Sequence, residues 1–253
     1  MPHPFILLET SWRTVRDLSI EVAVLPWGAT EAHNYHLPYG TDVIESESLA
    51  ALVAEAAWNR GARVMVLPTV PFGVQTGQLD IPFCLNLNPS TQQAILRDLI
   101  AALEPHGVRK LVIFNGHGGN DFKQIIRELQ PTTKMLLCQV NWYTALDPRP
   151  FFDEPGDHAG ELETSVMLHV APRLVRPLGD AGSGASRKPV VRGMREGWAW
   201  TPRRWTKVSD DTGVGDPALA TREKGQRYVE ALTATVSDFL VELAKVDPDE
   251  LYE

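Results

Sequence analysis

Four short runs, 22–26 (VAVLP), 63–68 (RVMVLP), 110–114 (KLVIF) and 134–140 (KMLLCQV), constrain this chain more than any other feature. A strand with one wet face alternates apolar and polar residues, whereas these runs are apolar through their interiors apart from Gln139, the pattern of strands covered on both faces. Longer stretches with helical spacing separate them. Residues 43–60 are rich in Ala, Glu and Leu and stop at Gly61, and residues 89–106 open on Pro-Ser-Thr and stop at Gly107. Residues 120–129 and 161–170 follow, the second ended by Pro172, and an amphipathic helix over 218–246 closes the chain. The alternation predicts βαβ units, hence an α/β fold with a mostly parallel sheet flanked by helices on both faces.

The chain is 253 residues long, enough for one large α/β domain, and the reading adopted is one domain over 1–253. Its regular pattern lapses between 173 and 217, where glycines gather with Trp198, Trp200, Trp205, Arg203 and Arg204; this predicts an irregular excursion that includes a β-hairpin. The formal net charge of -8 and the lack of a Lys/Arg block argue against a nucleic-acid partner and suit a neutral or cationic small substrate. Cys84 and Cys138 lie apart in apolar runs, which excludes a disulfide framework and a cysteine zinc knuckle. The leading segment has no basic start or small-residue cleavage site, and no run is apolar over the roughly 20 residues a membrane helix needs. The expectation is a cytoplasmic protein with no membrane partner.

Polar clusters follow three of the strands. The first runs from Gly28 through Glu31 and His33 to Asp42, the second is Asn115-Gly116-His117-Gly118-Gly119-Asn120, and the third is Asp157-His158-Ala159-Gly160-Glu161-Leu162-Glu163-Thr164-Ser165. In open parallel sheets, ligands bind at the carboxyl ends of strands, so the three clusters converge on one edge. In an extended segment Glu31 and His33 point to the same side. Asp42 opens the next helix, where it either ligates or caps the backbone. His36 stands nearby as a supporting or pocket-wall residue. The glycines around His117 allow a sharp turn and leave the imidazole unobstructed, as a metal ligand needs; the competing reading is a glycine-rich cradle for a phosphate. Glu161 and Glu163 are either ligands or charges favoured at a helix start. His169 is read as a packed core residue.

At these residues the chain resembles the creatininase family. Glu-x-His followed by His-Leu-Pro and Thr-Asp appears as Glu31-Ala32-His33, His36-Leu37-Pro38 and Thr41-Asp42. The Asn-Gly-His turn is Asn115-Gly116-His117, the His-Ala-Gly…Glu-Thr-Ser element is His158 to Ser165, and a late stretch is Gly213-Val214-Gly215-Asp216-Pro217 with Glu223-Lys224-Gly225. The resemblance implies a three-layer α/β/α fold and a hydrolase with two divalent metal ions, zinc foremost and manganese or iron also known, acting on a non-peptide amide C–N bond of a small molecule. It also implies a homo-oligomer, often a hexamer. Deformylation and maturation of a peptide-derived cofactor are the alternative reactions on the same scaffold, and a non-catalytic phosphate-binding protein is the rival outside it.

The resemblance makes Glu31, His33, Asp42 and His117 metal ligands, with Asp42 bridging, and puts His158 beside the substrate as a proton-transfer group. His36, Gly118, Gly119 and Trp142 are the expected substrate-binding residues, and Trp142, Trp198, Trp200 and Trp205 are candidates to line or gate the pocket. The family's glutamate ligand two residues after the turn histidine is replaced here by Gly119. Two divalent ions bring four positive charges, while Glu31, Asp42 and a bridging hydroxide return three; a buried site prefers neutrality. Glu161 is therefore expected to supply the missing carboxylate, with Glu163 in a catalytic supporting role that orients a ligand or His158. The segment from Gly73 to Cys84 also departs from the family pattern, which argues against creatinine as the substrate.

Overall fold

The computed structural model describes residues 3–252. Its centre is a sheet of four parallel strands, β1 Val22–Trp27, β2 Val64–Val66, β3 Lys110–Asn115 and β4 Leu136–Asn141, in the order β2-β1-β3-β4. Every residue of β1 and β3 is buried, as their unbroken apolar runs require. The sheet is wholly parallel.

Among the described residues eight α-helices accompany it: α1 Trp12–Val15, α2 Thr41–Asn59, α3 Pro89–Leu103, α4 Lys123–Leu129, α5 Glu161–Val170, α6 Arg192–Arg195, α7 Trp205–Val208 and α8 Arg222–Lys245. Successive residues of β1 point to opposite faces. Val22 and Val24 join a core with Leu49, Val53, Val166, Tyr228 and Leu232, from α2, α5 and α8. Ala23, Leu25 and Trp27 join another with Leu96, Ile100, Ile125 and Leu129, from α3 and α4. This is the expected layering, helices on both faces of a parallel sheet.

The chain leaves β1 through α2 to reach β2 on one side, then crosses by α3 to β3 on the other side of β1. The strand order thus reverses between β1 and β3, and a crevice opens beyond their carboxyl ends, the usual ligand position in such sheets.

Three sequence expectations change. The helix expected from residue 120 starts at Lys123, because Asn120 spends its side chain on the turn: it donates to Asn115 Oδ1 at 2.9 Å and accepts from Val74 N at 3.0 Å and Gln92 Nε2 at 2.8 Å. The last helix starts at Arg222 rather than 218, since Thr221 Oγ1 caps it by accepting from Lys224 N at 3.1 Å. The excursion over 173–217 forms no hairpin among the described residues. Its antiparallel pairings among the described residues are two isolated bridges, Ser186–Ser209 within it and Val214–His158 to the loop before α5, and the glycine- and proline-rich chain between 186 and 209 holds the single turns α6 and α7.

Candidate metal centre

Three backbone segments deliver the polar residues to the crevice. β1 ends at Trp27, and the chain continues through Gly28 to Glu31 and His33. Gly28 packs against the first turn of α2: a Cβ there would stand 2.6 Å from Val43 N and 2.7 Å from the carbonyl carbon of Asp42. This close approach brings Asp42, in the first turn of α2, beside the loop that follows β1. Asp42 does not cap the helix; Gly40 occupies that position and no side-chain cap bond forms. The turn after β3 supplies His117, and α5 with the loop before it supplies His158 and Glu163.

Glu31, His33, Asp42, His117 and His158 are all buried. The three imidazoles are fixed in the same way. His33 Nδ1 meets the carbonyl oxygen of Glu31 at 3.1 Å, His117 Nε2 that of Val74 at 2.9 Å, and His158 Nε2 that of Ala32 at 2.8 Å. A carbonyl only accepts, so each of these nitrogens carries the proton, and in the neutral ring the opposite nitrogen holds a lone pair. Those opposite nitrogens face carboxylates. His33 Nε2 lies 2.9 Å from Asp42 Oδ1, and His117 Nδ1 lies 2.9 Å from both Asp42 Oδ2 and Glu31 Oε1. His158 Nδ1 is 3.8 Å from Glu31 Oε1.

Among the described residues neither His33 Nε2 nor Asp42 Oδ2 makes a hydrogen bond, although each has a polar neighbour at that distance. Lone pairs converging without hydrogen-bond geometry are arranged as ligands around a shared cation. Three overlapping groups have donor atoms close enough to hold an ion: Glu31, Asp42 and His117; His33, Asp42 and Glu163; and Glu31, His33 and His158. The electrostatics agree. Burial alone would lower the pKa of His33, but Asp42, then Glu163 and Glu31, outweigh it and push it up to about 10. His117 is likewise raised well above its ordinary value against burial, by Glu31 and Asp42. The cluster demands positive charge, and protons or metal ions can supply it.

The expectation for Glu161 is corrected. Its Oε1 is bound by Lys224 Nζ at 2.5 Å and its Oε2 accepts from Glu154 N at 2.7 Å, so the carboxylate faces away from the cluster. Residues two apart on a helix point about 200° apart around the axis, so only one of Glu161 and Glu163 can look inward. Glu163 does: it stands with His33 and Asp42 and accepts from Ala159 N. Burial raises its pKa, opposed by His33 and His158.

A cavity of about 390 Å³ opens over the cluster, and Gly118, Gly119 and His158 are among the residues that line it. Trp200 and Trp205 line it too, while Trp198 lies flat against Gly193 instead. Two expected substrate-binding residues are elsewhere. Trp142 is fully buried in the core with Tyr228, and His36 is fully buried with Nε2 2.8 Å from Thr164 Oγ1, tying the loop after β1 to α5. Burial, and then the nearby His33, hold the pKa of His36 down to about 4, so it stays neutral.

Other participants are not among the residues assigned to the site from sequence, although their segments stand out there. Gln78, wholly buried, donates from Nε2 to Glu31 Oε2, and Cys84 Sγ both accepts from Ala32 N at 3.3 Å and approaches Gln78 Oε1 at 3.1 Å. The departure from the family pattern between residues 73 and 84 therefore supplies the support behind Glu31. Tyr143, Asp157 and Arg203 also reach the cavity wall.

A parallel α/β sheet with a buried histidine–carboxylate cluster at its topological switch defines the class. The chain belongs to the creatininase family, whose model, described as creatinine amidohydrolase, matches residues 8–240. It is 43% identical to a Bacteroides fragilis protein provisionally designated a creatinine amidohydrolase, over 100% of both chains with a TM-score of 0.94. It is 27% identical to the creatinine amidohydrolase of Pseudomonas putida, over 87% of this chain and 89% of that protein. It is 28% identical to the mycofactocin precursor peptide peptidase of Mycolicibacterium smegmatis, over 82% of this chain and 79% of that one. Two creatininase structures share the fold over 96% of this chain and 99% of theirs: a manganese form (TM-score 0.76, 22% identity) and a variant of zinc–zinc type (0.74, 23%). The family is one of hydrolases acting on amide bonds.

Proposed function

We propose that this chain is a metal-dependent amidohydrolase that holds two divalent ions, zinc first and manganese or iron as substitutes, and cleaves a non-peptide C–N bond of a small molecule. The observation that carries this reading is the double use of Asp42. Its Oδ1 faces His33 Nε2 and its Oδ2 faces His117 Nδ1, each at 2.9 Å, so one carboxylate is shared by two ligand groups. Glu31 and His117 complete one group, His33 and Glu163 the other. Glu163 takes the part expected of Glu161 and supplies the third carboxylate that charge neutrality requires.

When bound, the ions supply Lewis acidity toward the amide carbonyl and lower the pKa of water toward neutrality. The protein's residues do the rest. Gln78 holds Glu31 in place. His158 has its Nε2–H engaged by the Ala32 carbonyl, which leaves Nδ1 free to take a proton and return it to the leaving nitrogen. Trp205 packs against the His158 ring, the centroids 4.7 Å apart and the planes tilted by 55°.

Relatives that act on a small amide and on a peptide are about equally similar to this chain, so resemblance does not choose between those substrates. The test is metal content per chain by elemental mass spectrometry on the wild type and on His117→Ala, followed by a screen of small amides, formamides and short peptides. About two divalent ions, falling in the variant, with turnover of a small amide, is the expected result. No metal in either protein, with no activity on adding zinc or manganese, would sink the reading.

A further inference from the structure

Arg203 is the only lysine or arginine among the described residues that line the cavity, whose other charged lining residues are Glu31, Asp42, Asp157, Glu163 and the two histidines. The chain as a whole carries -8, which favours neutral or cationic ligands, so a lone guanidinium at this place runs against the global charge. It is also held in place. Its carbon stands 5.5 Å from the centre of the Trp205 ring, which in turn packs at a tilt against His158. The backbone around it is clamped: Arg203 O packs so closely on Gly77 that no side chain fits there, and Thr206 Oγ1 donates to Asp80 Oδ2 at 2.6 Å. Among the described residues the guanidinium has one partner, Asp157 Oδ2, which binds Nη1 alone. The pair is half in solvent, at 47% and 54% exposure, so exchanging Asp157 for another carboxylate costs little desolvation.

We propose that Arg203 sets substrate specificity by receiving a carboxylate that the amide substrate carries at the end remote from the scissile bond. The proposal rests on the metal-dependent reading above and names the substrate class for that site. The guanidinium presents five donors in a planar fork that matches a carboxylate bidentately, and Asp157 uses only one arm of it. Trp205 links this fork to His158, so the two ends of a substrate would be located by residues packed on one another. Asp157 immediately precedes His158 in the chain and tempers the affinity of Arg203 when substrate is absent.

The test uses the zinc-loaded full chain and calorimetric titration with metal-chelating hydroxamates. Straight-chain alkyl hydroxamates are compared with their ω-carboxy counterparts, from succinic to suberic monohydroxamate. At one chain length the carboxylate member is expected to bind about tenfold tighter than the neutral one, the worth of one charge-assisted pair at a half-exposed site. In Arg203→Gln that ratio should fall to about one, and Arg203→Lys should keep part of it, because charge survives and the fork does not. Asp157→Asn should raise the ratio. A ratio near one at every length in the wild type, or a ratio that Arg203→Gln leaves in place, would overturn the proposal while leaving the metal centre standing. Failure of every hydroxamate to bind would remove the metal centre and this proposal together.

Discussion

Gly119 lies directly beneath the imidazole of His117, so close to Nε2 that a Cβ at position 119 would overlap it, and the carbonyl of Val74 closes the same space from the other side. His117 Nε2 donates to that carbonyl at 2.9 Å, and the bond aims Nδ1 at Glu31 and Asp42. Glycine at 119 is thus more than the absence of a family ligand: in this chain a side chain there would displace the contact that orients His117. Gly119→Ala should weaken metal binding by about 10–100-fold, the usual loss when a group supporting a ligand is disturbed. Gly118→Ala should bind metal as the wild type does, since nothing lies within 4 Å of a Cβ at that neighbour. Parallel zinc titrations of the two variants check this; equal behaviour would refute it.

Glu161 and Glu163 separate stability from metal binding. Glu163→Gln should lose about 10–100-fold in metal affinity with a modest change in melting temperature. Glu161→Gln should keep its metal and lose about 1–3 kcal/mol of stability, because the buried carboxylate holds Lys224 and the Glu154 amide. Metal analysis and denaturant unfolding of both variants decide the matter, and metal loss in Glu161→Gln would restore the assignment expected from the sequence.

The chelated protein should lose stability as pH rises. His33 is raised from 6.5 to about 10 by Asp42, Glu163 and Glu31 against the lowering effect of burial. Between those values the folded chain keeps a proton that the unfolded chain has released, so unfolding stability falls with increasing pH. The contribution is fully present below 6.5 and is lost as pH passes through about 10. Ions replace the protons, so zinc should stabilise the protein more at pH 9 than at pH 6, each relative to the chelated form. Thermal melts with and without chelator across that range test it; a zinc effect that shrinks with pH would contradict it.

Glu45 lies on α2 three residues beyond Asp42 and is fully buried, and neither of its carboxylate oxygens has a hydrogen-bond partner among the described residues. Burial, with Glu163 and Asp42 adding repulsion, raises its pKa well above the usual carboxylate value of 4.5. A raised carboxylate in the fold costs stability as pH climbs above the unfolded value. Glu45→Met should therefore stabilise the protein by about 1–3 kcal/mol at neutral pH, and the gain should grow from pH 5 to pH 8. Urea unfolding at several pH values measures this, and a destabilised variant would show that Glu45 has a partner in solution.

The order of the strands' carboxyl-terminal clusters was legible in the sequence because each is tied to local chemistry. Apolar runs alternating with helical stretches point to strands covered on both faces, as β1 and β3 are, and the glycines after β3 mark a sharp turn. From that, Glu31, His33, Asp42, His117 and His158 could be named and directed to one edge. Local pattern carries no information about what faces a residue from a distant part of the chain. Glu161 and Glu163 look alike as sequence; Lys224 of α8 and the placement of α5 over the sheet decide which one turns to the cluster. Trp142 and His36 likewise looked available for substrate, and the packing of α8 and α5 encloses them. Gln78 and Arg203 reach the site through loops remote in the chain from its core motifs, where the sequence has no period to read. The sequence alone determined the fold class and which polar residues gather at the sheet edge, because strand burial and turn chemistry are local. Side-chain direction, the support behind Glu31 and the charge at the cavity mouth are long-range packing outcomes, and only the tertiary structure decided them.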